Sequence, residues 1–165
     1  FNIGLSAMVV LQSDPSVEVH TWDLGEPAAR INALCLNETY GGRLHTTWGD
    51  SRVTLPAAPR GLRCDVQLID GGHEDDVPAS DFFWFRQLAS RDALLIVDDV
   101  GCIHKEWCEA PQSAWEAAVS AGLLEETSLR SAANAFGVPK AFGHATGAWR
   151  DQAGPDVDDS AGGRI

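Results

Sequence analysis

Apolar and polar positions along the chain alternate between two kinds of run. Short β-rich runs occupy Glu18–Asp23 ("EVHTWD"), Arg43–Gly49 ("RLHTTWG"), Cys64–Asp70 ("CDVQLID") and Ala93–Asp98 ("ALLIVD"). Helical stretches lie between them. Pro27–Tyr40 puts Ile31, Leu34 and Cys35 on one face and stops at Gly41-Gly42, a helix C-terminal signal. Asp76–Ala89 opens with acids and Pro78, which suits a first turn, and stacks Val77, Trp84, Phe85 and Leu88 at helical spacing. Gln112–Gly122 does likewise with Trp115, Val119 and Leu123. Leu124–Arg130 and about Lys140–Thr146 read as a last pair of strands around the turn-like "FGVPK". Their close spacing predicts an antiparallel hairpin at a sheet edge.

Strands alternating with helices at this spacing predict βαβ units, and hence an α/β fold with a mostly parallel sheet covered on both faces. No internal repeat breaks the pattern. One domain over residues 1–149 accounts for it. From Arg150 the chain is polar, rich in Gly and Asp and aperiodic, so residues 150–165 are expected to be a disordered tail.

Composition narrows the function. The 165 residues suffice for one domain with a real core, and 44 % hydrophobic with 22 % charged residues is globular. A net charge of −12 argues against nucleic acid, whose phosphates need a basic face. No apolar run is long enough to span a bilayer, and no basic-then-apolar signal opens the chain. Cys35, Cys64, Cys102 and Cys108 lack C-x-x-C spacing and the density of a secreted scaffold. Cys35 and Cys64 read as reduced core residues. The spacing argues against a disulfide or a zinc half-site at Cys102 and Cys108, and therefore for a reducing, cytoplasmic compartment.

In parallel sheets of this kind ligands bind outside the carboxyl ends of the strands. All four clear strands end in an acid or reach one within a residue: Asp23, Asp50, Asp70 and Asp98-Asp99. A single terminal Asp often caps the next helix. Four along one edge would repel one another unless something cationic or polar sits among them.

The stretch "IDGGHEDD", residues 69–76, concentrates this chemistry. Parallel neighbours lie roughly 4.8 Å apart, so Asp70 and Asp98, with Asp99 beside them, can converge on one cation. Carboxylates without cysteine suit a hard ion such as Mg²⁺. Gly71 and Gly72 would let the chain turn sharply and a ligand approach the backbone. His73 would face the same pocket as a general base. At the N-terminus, "FNIGLSAMVV" sets Gly4 and Ser6 before an apolar helix, a way for backbone to approach a ligand at a helix start. Asp23 follows Gly4 by 19 residues, near the spacing of an acid that binds a ribose diol. The G-x-G-x-x-G fingerprint of NAD-binding folds is absent.

The segments "FNIGLSA", "TWDLG", "GDSRVTLP", "DVQLIDGGHEDD" and "ALLIVDDV", in this order and spacing, resemble the S-adenosylmethionine (SAM)-dependent O-methyltransferases of Rossmann-like fold. The likeness is closest to the metal-dependent branch that includes catechol and macrocin O-methyltransferases, and covers about Phe1 to Thr146. It implies that Asn2 and Gly4 lie against the methionine part of the cofactor, that Asp23 binds the ribose hydroxyls, and that Asp50 or Ser51 lies by the adenine. It further implies that Asp70, counted also among the cofactor contacts, holds a metal with Asp98 and Asp99, and that His73 is the catalytic base. The acceptor would be a hydroxylated small molecule. Relative to this family the chain begins after the first, central strand. It therefore reads as a fragment in which the strand ending at Asp23 does not pair with the one ending at Asp70. Two other functions fit the residues: a catalytically inactive SAM-binding or structural fragment, and a metal-dependent hydrolase built on the acids and His73.

Overall fold

The computed structural model describes residues 1–102, 105–133 and 139–150. Helix α1 (Leu5–Ser13) leads into strand β1 (Val19–Asp23), helix α2 (Pro27–Thr39), strand β2 (Leu44–Trp48) and a short helix α3 (Ser51–Thr54). There follow β3 (Cys64–Ile69), α4 (Val77–Leu88), β4 (Ala89–Asp98), α5 (Lys105–Ser120), β5 (Leu124–Ala133) and β6 (Pro139–Trp149). The expected alternation is therefore present. Helix α5 begins a full two turns before the sequence pattern suggests, with Pro111 inside it.

The strands form two sheets. β1 and β2 pair in parallel, Val19 opposite Leu44 and Asp23 opposite Trp48. The other sheet runs β3-β4-β6-β5, with β3 and β4 parallel and β6 antiparallel to both of its neighbours. β1 and β3 do not pair, the break expected from the sequence. The late hairpin takes its expected place, β5 forming the outer edge. Its turn, and the tail from residue 151, lie outside the described residues.

Two apolar clusters hold these sheets. Ala7 and Leu11 of α1 and Ala33 of α2 pack with Leu44 of β2. In the larger cluster, Phe82 of α4 and Trp115 of α5 cover Ile69, Leu95 and Val97. That burial is one-sided: Val66, Leu68 and Leu94, on the alternate positions of β3 and β4, are exposed. The alternation of strands and helices had suggested cover on both faces; among the described residues Val66, Leu68 and Leu94 stay exposed on the other face. Gln67, the polar residue inside the β3 run, is 3 % exposed and fully engaged. Its amide donates to the Phe85 carbonyl at 2.6 Å and accepts from the Trp149 indole at 2.7 Å, tying β3 to α4 and β6.

Helix α2 corrects a second expectation. Its buried residues are Ala29 and Ala33, while Ile31 and Leu34 are exposed and so is Cys35. Small residues let this helix approach β2 closely, and the bulky stripe turns outward. On α4 the buried face is Pro78, Asp81, Phe82 and Leu88, with Trp84 only half-buried.

Candidate active site

The N-terminal turn and the end of β1 meet. Gly4 has φ +83°, and a Cβ there would lie 2.7 Å from both Leu36 and Phe1, so only glycine fits the approach to α2. The Asn32 amide donates to the Ile3 carbonyl at 3.1 Å and pins the turn. Asp23 accepts the Asn2 N–H at 3.1 Å and the Gly25 N–H at 2.6 Å. Partial burial pulls the Asp23 pKa upward, but the Gly25 and Asn2 N–H groups hold it below the ordinary carboxylate value. Asn2, Gly4 and Asp23, far apart in the chain, thus form one corner.

Asp50 follows a different logic. It caps α3, accepting the Arg52 N–H at 2.9 Å, and its carboxylate is also gripped by the Arg52 guanidinium at 2.7 Å. That side-chain bond, with the backbone one, lowers the Asp50 pKa. Arg52 reaches on to Asp76 at 2.9 Å and so links the end of β2 to the loop after β3. The Ser51 side chain lies beside Asp81 of α4, whose Oδ1 is buried without a hydrogen-bond partner among the described residues. The Trp22 ring meets Phe85 edge-on at 6.3 Å, joining β1 to the same helix.

Asp81 is a residue that the sequence pattern did not single out. It is 6 % exposed, and burial pushes its carboxyl pKa up. A Cβ at Gly71 would lie 2.9 Å from Asp81 Oδ2, while the Gly71 and Gly72 backbone is exposed.

The second half of the site gathers at the ends of β3 and β4. Asp70 follows the last residue of β3, open to solvent on one side. Its pKa is raised by partial burial and then by the charges of Asp98 and Asp99, with His73 opposing. The Asp99 N–H donates to Asp98 Oδ1 at 3.0 Å, and Asp99 itself has φ +58°, a left-handed conformation costly for a residue with a side chain. His73 Nε2 lies 2.9 Å from Asp99 Oδ2, their side chains 16 % and 15 % exposed. Its Nδ1 lies 2.7 Å from the Trp107 carbonyl. A carbonyl only accepts, so Nδ1 is the nitrogen that donates to Trp107, while Nε2 faces the Asp99 carboxylate. The Trp107 ring, 58 % exposed, lies 4.7 Å from the imidazole.

Trp107 is held there by a bond that cysteine spacing had argued against. Cys102 and Cys108 form a disulfide, with Cα atoms 6.2 Å apart, stapling the loop after β4 to the first turns of α5. The six-residue separation fits a helical turn and a bend that no C-x-x-C pattern signals. This pair removes the cysteine argument for a reducing compartment. Asp99 lies close to both sulfurs, but the disulfide leaves them no thiolate for a metal.

An open cavity of about 310 Å³ between α2 and β2, lined by Arg30, Leu34, Asn37 and Trp48 among others, lies apart from these groups.

A family model described as a methyltransferase domain matches residues 2–100, and the chain belongs to that family. No curated protein matches it in sequence. Three solved structures show the same fold. A cofactor-bound protein from MTB is 20 % identical, with a TM-score of 0.71, over 90 % of this chain and 69 % of its own. The O-methyltransferase TomG of Streptomyces achromogenes, involved in tomaymycin synthesis and in complex with SAM, is 16 % identical, with a TM-score of 0.70, over 90 % of this chain and 70 % of its own. An O-methyltransferase from Bacillus cereus in complex with SAH is 14 % identical, with a TM-score of 0.70 and the same coverage. Among the described residues no helix is long and apolar enough to cross a membrane.

Proposed function

We propose that this methyltransferase domain, residues 1–149, transfers a methyl group from SAM to a hydroxyl of a small molecule, with His73 as the base and Mg²⁺ at Asp70, Asp98 and Asp99. The observation that carries the reading is the grouping of His73, Asp99 and the Trp107 carbonyl beside Asp70, at the same carboxyl edge that brings Asn2 and Gly4 to Asp23. The TomG and Bacillus cereus structures, which hold SAM and SAH, support the cofactor.

The donor chemistry fits both groups. Asp23 is an ionised acceptor, the partner a ribose diol needs, and a carboxylate offers about four lone-pair sites, more than its present bonds use. Asp70, Asp98 and Asp99 are hard oxygen donors, and the Asp70 pKa is raised by burial first and then by the neighbouring Asp98 and Asp99 charges. When bound, SAM supplies an activated methyl and Mg²⁺ a positive charge beside the acceptor oxygen.

The chain's own part is positioning and proton transfer. Asp23 and the Asn2–Gly4 turn fix the ribose and methionine ends, with Asp50 and Ser51 toward the adenine. Nδ1–H would stay on the Trp107 carbonyl, and with the Asp99 carboxylate drawn toward Mg²⁺ the Nε2 of neutral His73 would face the acceptor. That nitrogen takes the acceptor's hydroxyl proton, and Asp99 stabilises the imidazolium formed. The exposed Trp107 ring gives a flat apolar wall for the acceptor.

Incubation with isotopically methyl-labelled SAM and a panel of catechols and sugar-like polyols, with Mg²⁺ and then with chelator, tests the proposal. Label should move to a hydroxyl acceptor with Mg²⁺ and not with chelator. No transfer to any member of the panel, or full transfer in chelator, would count against it.

A further inference from the structure

We propose that Glu18, His20 and His45 form a second, separate site for a transition-metal ion of the zinc class at the opening of β1 and β2. Strand periodicity puts Glu18 and His20, two residues apart, on one face. The parallel register sets His45 directly opposite His20, and so on that face too. The Val19 N–H donates to the Arg43 carbonyl at 2.9 Å and locks this register where the site begins.

The side chains have converged. The two imidazoles stack with centroids 4.5 Å apart and planes 21° from parallel. Glu18 Oε2 lies 3.7 Å from His45 Nε2 and 4.0 Å from His20 Nε2. One donor atom from each of the three residues lies within 4.8 Å of the others. Ligands about 2.0–2.1 Å from a zinc ion at tetrahedral corners are roughly 3.3–3.5 Å apart. Closure therefore needs shifts of up to about an ångström and a turn of the stacked imidazoles toward one ion. Glu18 and His45 are exposed and can make them, while the less exposed His20 anchors the set. Among the described residues Glu18 has no lysine or arginine partner, so no fixed cation competes.

The donor set chooses the ion. Two imidazole nitrogens and one carboxylate oxygen suit zinc, cobalt or nickel and leave a fourth position for water. Magnesium prefers oxygen ligands in octahedral array and is selected against. His20 stands three residues before Asp23, roughly 10 Å along the strand, so this site is independent of the methyl-transfer chemistry. Its occupation would clamp β1 to β2 and raise the melting temperature through binding to the folded state.

The test is a Co²⁺ titration of the whole chain in excess Mg²⁺, followed by visible spectroscopy and competition with Zn²⁺. One ion per chain should bind, with a nitrogen-and-oxygen ligand spectrum. His45→Gln should weaken binding at least about tenfold, and His20→Gln with His45→Gln should abolish it with the circular dichroism unchanged. Equal affinity in the double variant, a thiolate-to-cobalt band pointing to the free Cys35 or Cys64 instead, or no uptake by the wild type would overturn the proposal.

Discussion

Asp81 carries a carboxyl into the interior, where its Oδ1 is buried without a hydrogen-bond partner among the described residues and burial favours the protonated form. Because its folded pKa lies above the ordinary value, the unfolded chain binds fewer protons than the folded one as pH rises through that window. Stability from this group is therefore present at low pH and lost as pH climbs past the folded pKa. Asp81→Asn should remove that loss. Urea unfolding at several pH values should show the variant gaining on the wild type from the mid-acidic range upward; parallel curves would contradict the assignment. At His73 the expectation is kinetic. His73→Ala should slow methyl transfer on the order of 10²–10⁴-fold, with a residual rate that recovers as pH rises and the acceptor ionises unaided. A pH-independent residual rate, or no slowing, would return His73 to a purely structural pairing with Asp99. Residues at this scale were unevenly legible. His73 and the strand-end acids stand out because acids and an imidazole punctuate apolar runs. Asp81 does not, because one acid on a mixed helix gives no sign of which way it points until the helix docks.

The element with most at stake is α5. Its first turns place the Trp107 carbonyl on His73, and the disulfide Cys102–Cys108 holds them to the end of β4. A loop this short contributes about 2 kcal/mol through chain entropy. Replacing both cysteines by serine should cost about that in unfolding measurements and lower kcat without weakening SAM binding. If kcat is unchanged, Trp107 is held without the staple. Both α2 and α5 show what helical periodicity misses. On α2 the bulky residues mark the outward face, because the contact with β2 is made by alanines. On α5 the apolar period that begins near Gln112 is only part of the face over the core. The preceding turns bury Cys108 and Pro111 in line with Trp115, and bring the Trp107 carbonyl to His73. Strands read better, since an abrupt change from apolar residues to an acid marks both the end and the edge. Gln67 is the exception within β3: its polarity is explained only by the Phe85 carbonyl and the Trp149 indole it joins, one of them 82 residues away.

Over the whole molecule, the parallel pairs β1-β2 and β3-β4 each present their acids at the carboxyl end, and α4 bridges them through the Trp22–Phe85 contact. The break between β1 and β3 was legible as an order of segments compared with a known family, not as a feature of any residue. The account's central claim is that the first of these pairs, with the N-terminal turn, receives the cofactor at Asp23. Asp23 is a partly exposed strand-end acid, so its removal should alter binding more than folding. The direct measurement is calorimetric titration of SAM into the chain and into Asp23→Ala, with and without Mg²⁺, with thermal melts alongside. The wild type should bind one SAM with or without the metal, and Asp23→Ala should bind at least about tenfold more weakly, a loss of about 1.4 kcal/mol, while melting near the wild-type temperature. No heat with the wild type, or equal affinity in the two proteins, would contradict the account.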